Sequence, residues 1–249
     1  MKICVISLKR SPERRENIKK QLDALGLDFE FFDAVDGRAE PPHPLFARYD
    51  YFKRLWLTNG RMPSKGEMGC YASHYLVWQE CVASREPILV IEDDSYVKPV
   101  IVELLPHLKE KVEQYGFLRL EPETSRCNLY TKEHGDCYSI AFMDNNFGGT
   151  RSYAIAPKAA QKLLDGSKRW YMPVDNYIGS LYLHGMPSYQ MYPTIIPTLE
   201  EHPEEFGTTI QLGEESKPPV YRKLTREMYS FYRKLSMSNH NQKYYNNDL

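Results

Sequence analysis

Pro87-Ile88-Leu89-Val90-Ile91-Glu92-Asp93-Asp94 runs four consecutive aliphatic residues into three consecutive carboxylates. So short an apolar run predicts a strand buried on both faces, as in a parallel sheet. Neighbouring like charges ~4 Å apart repel by roughly 1 kcal/mol in water and about 4 kcal/mol near a protein surface. A divalent cation with oxygen ligands would offset that repulsion. In open α/β sheets ligands bind outside the carboxyl ends of the strands. The octapeptide therefore predicts a metal-bound anionic substrate at this strand end. An acidic turn leaving a core strand is the alternative.

Working outward, the chain alternates strand and helix signals. Residues 2–8 read as a first buried strand. Ser11-Pro12-Glu13 reads as a helix start, with Ser as N-cap and Pro at the first helical position. Ile18, Leu22 and Leu25 keep helical spacing up to Gly26, and Phe29–Ala34 reads as a second strand, completing a βαβ unit. Arg14 and Arg15 fall in the first helical turn, where guanidinium groups either bind phosphate beside the backbone donors or point into solvent and pair with Glu13 or Asp36.

Residues 39–62, with three prolines and an aromatic cluster, read as a loop or insertion. Ser64 and Glu67 then form a capping box. The helix behind it is apolar on two faces and so largely buried, which makes His74 a hydrogen-bonded core histidine before it is a ligand. Pro106 should kink or restart the helix that follows Lys98-Pro99. Residues 121–137 read as a polar loop, and Cys127, His134 and Cys137 lack the spacing of a zinc site. Strands are expected at 117–120, 138–143, 150–156 and 189–196. Gly148-Gly149 between two of them allows close backbone approach. Helices are expected from Pro157 to Gly166 and from Asp175, as N-cap, to Gly185.

The 249 residues suffice for one large α/β domain, and a net charge of −1 gives no electrostatic case for nucleic acid. Five cysteines without CxxC spacing read as reduced thiols. No apolar run approaches the ~20 residues of a membrane span, and the N-terminus lacks a signal-peptide pattern. A cytoplasmic protein is expected. From Lys217 onward, basic residues interleave with Tyr221, Tyr229, Phe231, Tyr232, Tyr244 and Tyr245. Such a helix reads either as a membrane-surface element or as a solvated helix packed on the domain by its Tyr and Leu stripe.

Several segments, taken in order, resemble glycosyltransferase family 25, the bacterial lipooligosaccharide and lipopolysaccharide transferases related to the collagen galactosyltransferases. They are Val5–Arg15, Phe32–Gly37, Pro63-Ser64-Lys65-Gly66-Glu67-Met68-Gly69-Cys70-Tyr71-Ala72-Ser73-His74, Val90–Asp94, Gly149-Thr150 with Tyr153, and Pro173-Val174-Asp175. The resemblance implies a GT-A-type, Rossmann-like nucleotide-sugar domain over 1–205, with a mixed, mostly parallel sheet. A basic, aromatic helical extension over 206–249 lies outside it. It further implies a UDP-galactose or UDP-glucose donor, transfer with inversion to a β-linkage on a lipooligosaccharide acceptor, and work at the cytoplasmic face of the inner membrane.

Carried onto this chain, the donor-binding residues are Ser7, Leu8, Arg10, Arg14, Arg15, Asp33, Gly69, Ser73, His74, Glu92, Asp93, Gly149 and Thr150. Mn²⁺ or Mg²⁺ falls to Asp94 with Glu92, and His202 could complete the shell. On an extended strand Glu92 and Asp94 project to one side and Asp93 to the other. The base that takes the acceptor proton is Asp175, with Glu200, Glu201 and His202 as alternatives. Two rivals remain: a metal-dependent sugar nucleotidyltransferase, disfavoured by the absence of glycines in Leu8–Arg15, and a non-catalytic nucleotide-sugar-binding relative.

Overall fold

The computed structural model describes residues 1–58, 60–198, 200–201 and 220–245. His202, proposed above as a metal ligand or base, lies outside them. The chain opens with β1 (Lys2–Ser7), α1 (Pro12–Ala24) and β2 (Glu30–Asp33), followed by a 3₁₀ turn at Pro44–Arg48 and α2 (Tyr51–Leu57). Next come α3 (Lys65–Ser84), β3 (Ile88–Glu92), α4 (Ile101–Tyr115), β4 (Phe117–Arg119), β5 (Leu129–His134), β6 (Ser139–Met143) and β7 (Ser152–Ile155). The described elements end with α5 (Pro157–Gly166), α6 (Val174–Ile178), α7 (Leu181–His184), β8 (Tyr189–Tyr192), α8 (Val220–Asn241) and a 3₁₀ turn at Gln242–Tyr244.

One mixed sheet of eight strands, ordered β2-β1-β3-β7-β4-β8-β6-β5, carries the described residues. β1 pairs in parallel with β2 and β3, and β4 with β8. β7 and β6 run the other way and pair antiparallel with both neighbours. Side-chain alternation sorts β3 onto two cores: Ile88 and Val90 face α3 and α5, while Leu89 and Ile91 pack with α1 and α4. Covered on both faces, the strand end can open only at its edge, which is where the acids lie.

Local chemistry departs from the sequence reading at several points. Ser11 makes no side-chain cap; its N–H instead closes a turn on Leu8 O. Ser64 Oγ does accept from Glu67 N–H at 3.1 Å, but the Glu67 carboxylate turns away to Arg54 Nη2 at 2.8 Å and the Tyr49 hydroxyl at 3.0 Å. That buried pairing anchors α2, so residues 39–62 hold helical turns and are not all loop. Residues 121–137 contain an edge strand, β5. α4 runs through Pro106 without restarting. The Asp175-to-Gly185 segment is two short helices, with Pro173 and not Asp175 at the first N-cap.

α8 docks on α2 and α7. Tyr229 Oη meets the hydroxyls of Tyr171 at 3.2 Å and Tyr182 at 2.9 Å, and Thr225 Oγ1 donates to Trp56 O at 2.8 Å. The tail does pack on the domain, through Tyr229 and Thr225, whereas the leucines expected in the packed stripe, Leu224 and Leu235, are exposed. Its outer face is apolar and exposed at Tyr221, Leu224, Met228, Phe231, Tyr232 and Leu235.

Candidate active site

Beyond the carboxyl ends of β1 and β3 lies a solvent-open cleft of about 750 Å³. Ser7, Leu8, Arg10, Arg14, Ser73, His74, Glu92, Asp93 and Asp94 line it, together with Val35–Arg38, Gly66 and Cys70. One wall exists because the loop after β2 is pressed onto the start of α3. A Cβ on Gly37 would stand 1.7 Å from Lys65 O, and one on Gly69 2.6 Å from Val35 O. Ser73 Oγ fixes the same contact, accepting from Val35 N–H at 2.9 Å and donating to Gly69 O at 2.7 Å. Gly69 thus shapes the wall without lining it.

The three acids take three different surroundings. β3 ends at Glu92, so strand alternation no longer governs the two aspartates, which sit on the turn that follows. Burial works against the Glu92 carboxylate. Bonds from His74 Nε2 at 3.1 Å and Thr150 Oγ1 at 2.6 Å outweigh it, so its pKa lies below the ordinary value. Trp78 Nε1 donates to the Tyr153 hydroxyl at 3.0 Å, and that hydroxyl lies 2.9 Å from His74 Nδ1. His74 Nε2 carries a proton toward Glu92, because a carboxylate can only accept. His74 is both the core histidine expected and a lining residue of the cleft.

Asp93 accepts from Ser7 Oγ and lies 3.6 Å from Arg14 Nη1; burial still raises its pKa. Asp94 Oδ2 lies 3.4 Å from the same nitrogen, whereas Asp94 Oδ1 is buried without a hydrogen-bond partner. Burial first, and then the charges of Glu92 and Asp93, push Asp94 up to about 7. A carboxylate oxygen left orphaned among like charges fits a divalent cation, and an all-carboxylate donor set suits hard Mn²⁺ or Mg²⁺. Cys70, His74 and Glu92 also bring one ligand atom each within 4.8 Å of one another. Burial, reinforced by Glu92, Asp175 and Asp94, keeps the Cys70 thiol protonated, so this trio suits a hydrogen-bonded network better than a thiolate metal site.

Asp175 lies in α6, near enough for the Glu92 charge to act on it, and does not line the cleft. Its Oδ1 accepts from Asn176 N–H at 2.7 Å, and Gly149 N–H also bonds to it. Burial raises its pKa over the effect of these donors, and Glu92 adds to the rise. Gly148 and Gly149 hold φ of +85° and +81°. A Cβ on Gly149 would lie 2.8 Å from both Arg119 Nη2 and Glu121 Oε2. Arg119 fastens this turn, donating from Nη1 to Asn146 Oδ1 at 2.7 Å and Gly148 O at 2.8 Å. Glu121 in turn accepts from Arg151 Nε at 3.1 Å, and the Arg151 charge reaches Glu92 and Asp94. Arg119, Glu121 and Arg151 escaped the sequence reading. The available signal was Phe117-Leu118-Arg119-Leu120-Glu121, two charges at the end of another apolar strand.

Other expected residues have different tasks. Arg15 donates to Ser7 O at 3.0 Å, Ser7 Oγ at 3.2 Å and Asp33 Oδ1 at 2.6 Å, tying the ends of β1 and β2 together. Asp33 also pairs with Lys9, at 2.9 Å. Neither lines the cleft. Glu200 and Glu201 are exposed, and Glu201 caps Thr198 N–H at 2.8 Å.

Similar proteins were found in three comparisons. A "Glycosyltransferase 25 family member" of Aedes aegypti is 38% identical over 192 residues, covering 72% of this chain and 30% of its own length. "Procollagen galactosyltransferase 2" of Homo sapiens is 29% identical over 211 residues, covering 76% of this chain and 32% of its own. This chain thus spans about a third of the length of these curated relatives. Among solved structures, a mannose-1-phosphate geranyltransferase from Thermus thermophilus aligns over 78% of this chain and 59% of its own at 11% identity and a TM-score of 0.36, too slight a likeness to carry an argument. The family described as glycosyltransferase family 25 (LPS biosynthesis protein) matches residues 1–178. The ordered motifs and this match agree: the chain belongs to glycosyltransferase family 25.

Proposed function

We propose that this chain is an inverting GT-A-type glycosyltransferase that moves galactose or glucose from a UDP-sugar to a sugar hydroxyl of a lipooligosaccharide, forming a β-linkage. The observation that carries the reading is the orphaned Asp94 Oδ1 in a cleft that also holds Arg10 and Arg14. Such a site offers a place for a cation and for the diphosphate it would carry. A bound Mn²⁺ or Mg²⁺ would neutralise charge developing on the departing UDP. Arg14 and Arg10 hold diphosphate oxygens by charge-assisted bonds. Glu92, kept ionised by His74 and Thr150, keeps the cleft end negative toward the cation.

Asp175 is the base in this reading. Its raised pKa makes it a better proton acceptor than an ordinary carboxylate, and its two backbone donors keep it oriented. As the acceptor oxygen forms its bond to the anomeric carbon, the bond to UDP breaks on the opposite face, and the proton passes to Asp175. Residues 1–205 carry this chemistry, and 206–249 form a separate extension. The outward stripe of α8, with Lys223 and Lys234 exposed beside it, supports peripheral contact with an anionic membrane surface. No described helix is long and apolar enough to cross a membrane.

The test is incubation with UDP-galactose and with UDP-glucose, with and without Mn²⁺, across lipooligosaccharide acceptors. Metal-dependent UDP release coupled to a β-linked product supports the reading. Pyrophosphate chemistry would favour a nucleotidyltransferase, and donor binding without turnover a non-catalytic relative.

A further inference from the structure

A second cavity of about 250 Å³ lies between α2, α6 and α8. That is a little smaller than the ~300–1,000 Å³ typical of small-molecule sites. Arg54, Thr58, Asn176, Tyr229, Ser230 and Arg233 supply its polar wall. Pro173 and Asn176, which flank Asp175 closely in sequence, belong to the same wall. Arg54 is only 2% exposed, and its three nitrogens differ in occupation. Nε donates to Arg61 O at 3.0 Å and Nη2 to Glu67 Oε2 at 2.8 Å, while Nη1 is buried with no hydrogen-bond partner. A buried donor without a partner is destabilising, and an anion supplied by a ligand would relieve it. Burial also raises the Glu67 pKa, which weakens the carboxylate paired with Arg54.

Arg233 adds a second guanidinium. It lies 4.9 Å from the Phe147 ring centroid, so α8 rests on the turn whose Gly149 N–H holds Asp175. Tyr229 presents an aromatic face, and Thr58, Asn176 and Ser230 present neutral hydrogen-bonding groups. Two guanidinium groups, small polar groups and a ring form the surface that recognises a saccharide carrying an anionic substituent.

We infer that this cavity is the acceptor subsite and that it takes an acidic sugar, one bearing a carboxylate or phosphate near the hydroxyl to be glycosylated. The assignment rests on the transferase reading above and on Asp175 as its base. It gives the C-terminal helix, which lies beyond the residues matched by the family, a part in choosing the acceptor.

Binding of methyl β-glucuronide, methyl β-glucoside and glucose 6-phosphate to the full chain, followed by NMR chemical-shift perturbation, tests it. The two acidic probes distinguish carboxylate from phosphate recognition. At least one should bind tenfold or more tightly than the neutral glycoside, without competition from UDP. Arg233→Gln should abolish that preference, and Ser230→Tyr should fill the cavity and weaken all three probes, with UDP binding unchanged as the check on folding. No measurable acid binding, equal affinity for acidic and neutral probes, displacement by UDP, or an acid preference that survives Arg233→Gln would overturn the assignment. Donor turnover is scored separately: a chain that keeps the acid preference but never hydrolyses or transfers from a UDP-hexose refutes the transferase reading and leaves the anionic cavity standing.

Discussion

Thr150 Oγ1 lies 2.6 Å from Glu92 Oε1, so a hydroxyl beside β7 holds the carboxylate that ends β3. Thr150→Val keeps the shape and removes the donor. Loss of a hydrogen bond to a charged group costs about 1.5–3 kcal/mol. Urea unfolding should show that loss as a lower midpoint at unchanged slope. A midpoint shift below a few tenths of a kcal/mol would mean the bond contributes little.

Asp94→Asn tests the orphaned carboxylate. The substitution removes a negative charge crowded by Glu92 and Asp93, so the folded protein should gain on the order of 1 kcal/mol. Metal-dependent UDP release should fall by a hundredfold or more, and Mn²⁺ titration should lose its saturable effect. Intact metal-dependent turnover in this variant would remove the proposed metal site.

Asp175→Asn should separate binding from chemistry. The amide oxygen still accepts from Asn176 and Gly149 but cannot take a proton at neutral pH. Transfer should drop about a hundredfold or more, in line with the loss of a general base, while UDP-hexose affinity stays within a factor of two or so. Near-normal transfer would assign the base elsewhere.

His184 should make stability depend on pH. Its Nε2–H donates to Tyr177 O at 3.0 Å and its Nδ1 accepts from Met186 N–H at 3.1 Å, an arrangement only the neutral ring satisfies. Burial lowers its pKa to about 4. In the unfolded chain a histidine titrates near ~6.5. The neutral ring's contribution is thus fully present above about 6.5. Below that the unfolded chain takes up the proton first, so stability falls between pH 6.5 and 4 by at most about 1.4 kcal/mol per unit. His184→Gln should flatten that part of the urea-midpoint profile relative to the parent.

The membrane proposal is checked by vesicle co-sedimentation. Met228 and Phe231 are each 65% exposed on α8. Changing both to Ser should leave unfolding and UDP release unaltered and should weaken binding to anionic vesicles by tenfold or more. Equal sedimentation of parent and variant would dismiss the contact.

Much of the first half of the sheet and its cleft-facing turns could be read from sequence because its signals are local. Ile88–Ile91 is an unbroken apolar run, Gly148-Gly149 marks a turn, and the Pro63–His74 segment carries its own helix start. What escaped depends on distant partners. α2 is seven residues long and contains no strong periodicity; the Arg54–Glu67 pair, 13 positions apart, holds it. β5 is an edge strand whose Thr131, Lys132 and Glu133 give no apolar alternation. Arg119 looks like an ordinary charged residue until the chain returns at Asn146 and Gly148. Asp175 has the residue type of an N-cap, yet Pro173 takes that position and frees its carboxylate for other bonds.

The sheet order has a consequence for the timing of synthesis. β2, β1 and β3 come from the first 92 residues, and the described strands on the other side of the β3–β7 pairing all come later. A nascent chain halted near residue 120 already contains all three acids and the cleft arginines Arg10 and Arg14. It still lacks Thr150, Arg151, the Gly149 amide and Asp175. On the ribosome, therefore, the cleft is half-built well before the residues that complete its surroundings are made: Gly149 and Thr150 precede β7, and Asp175 comes only with α6.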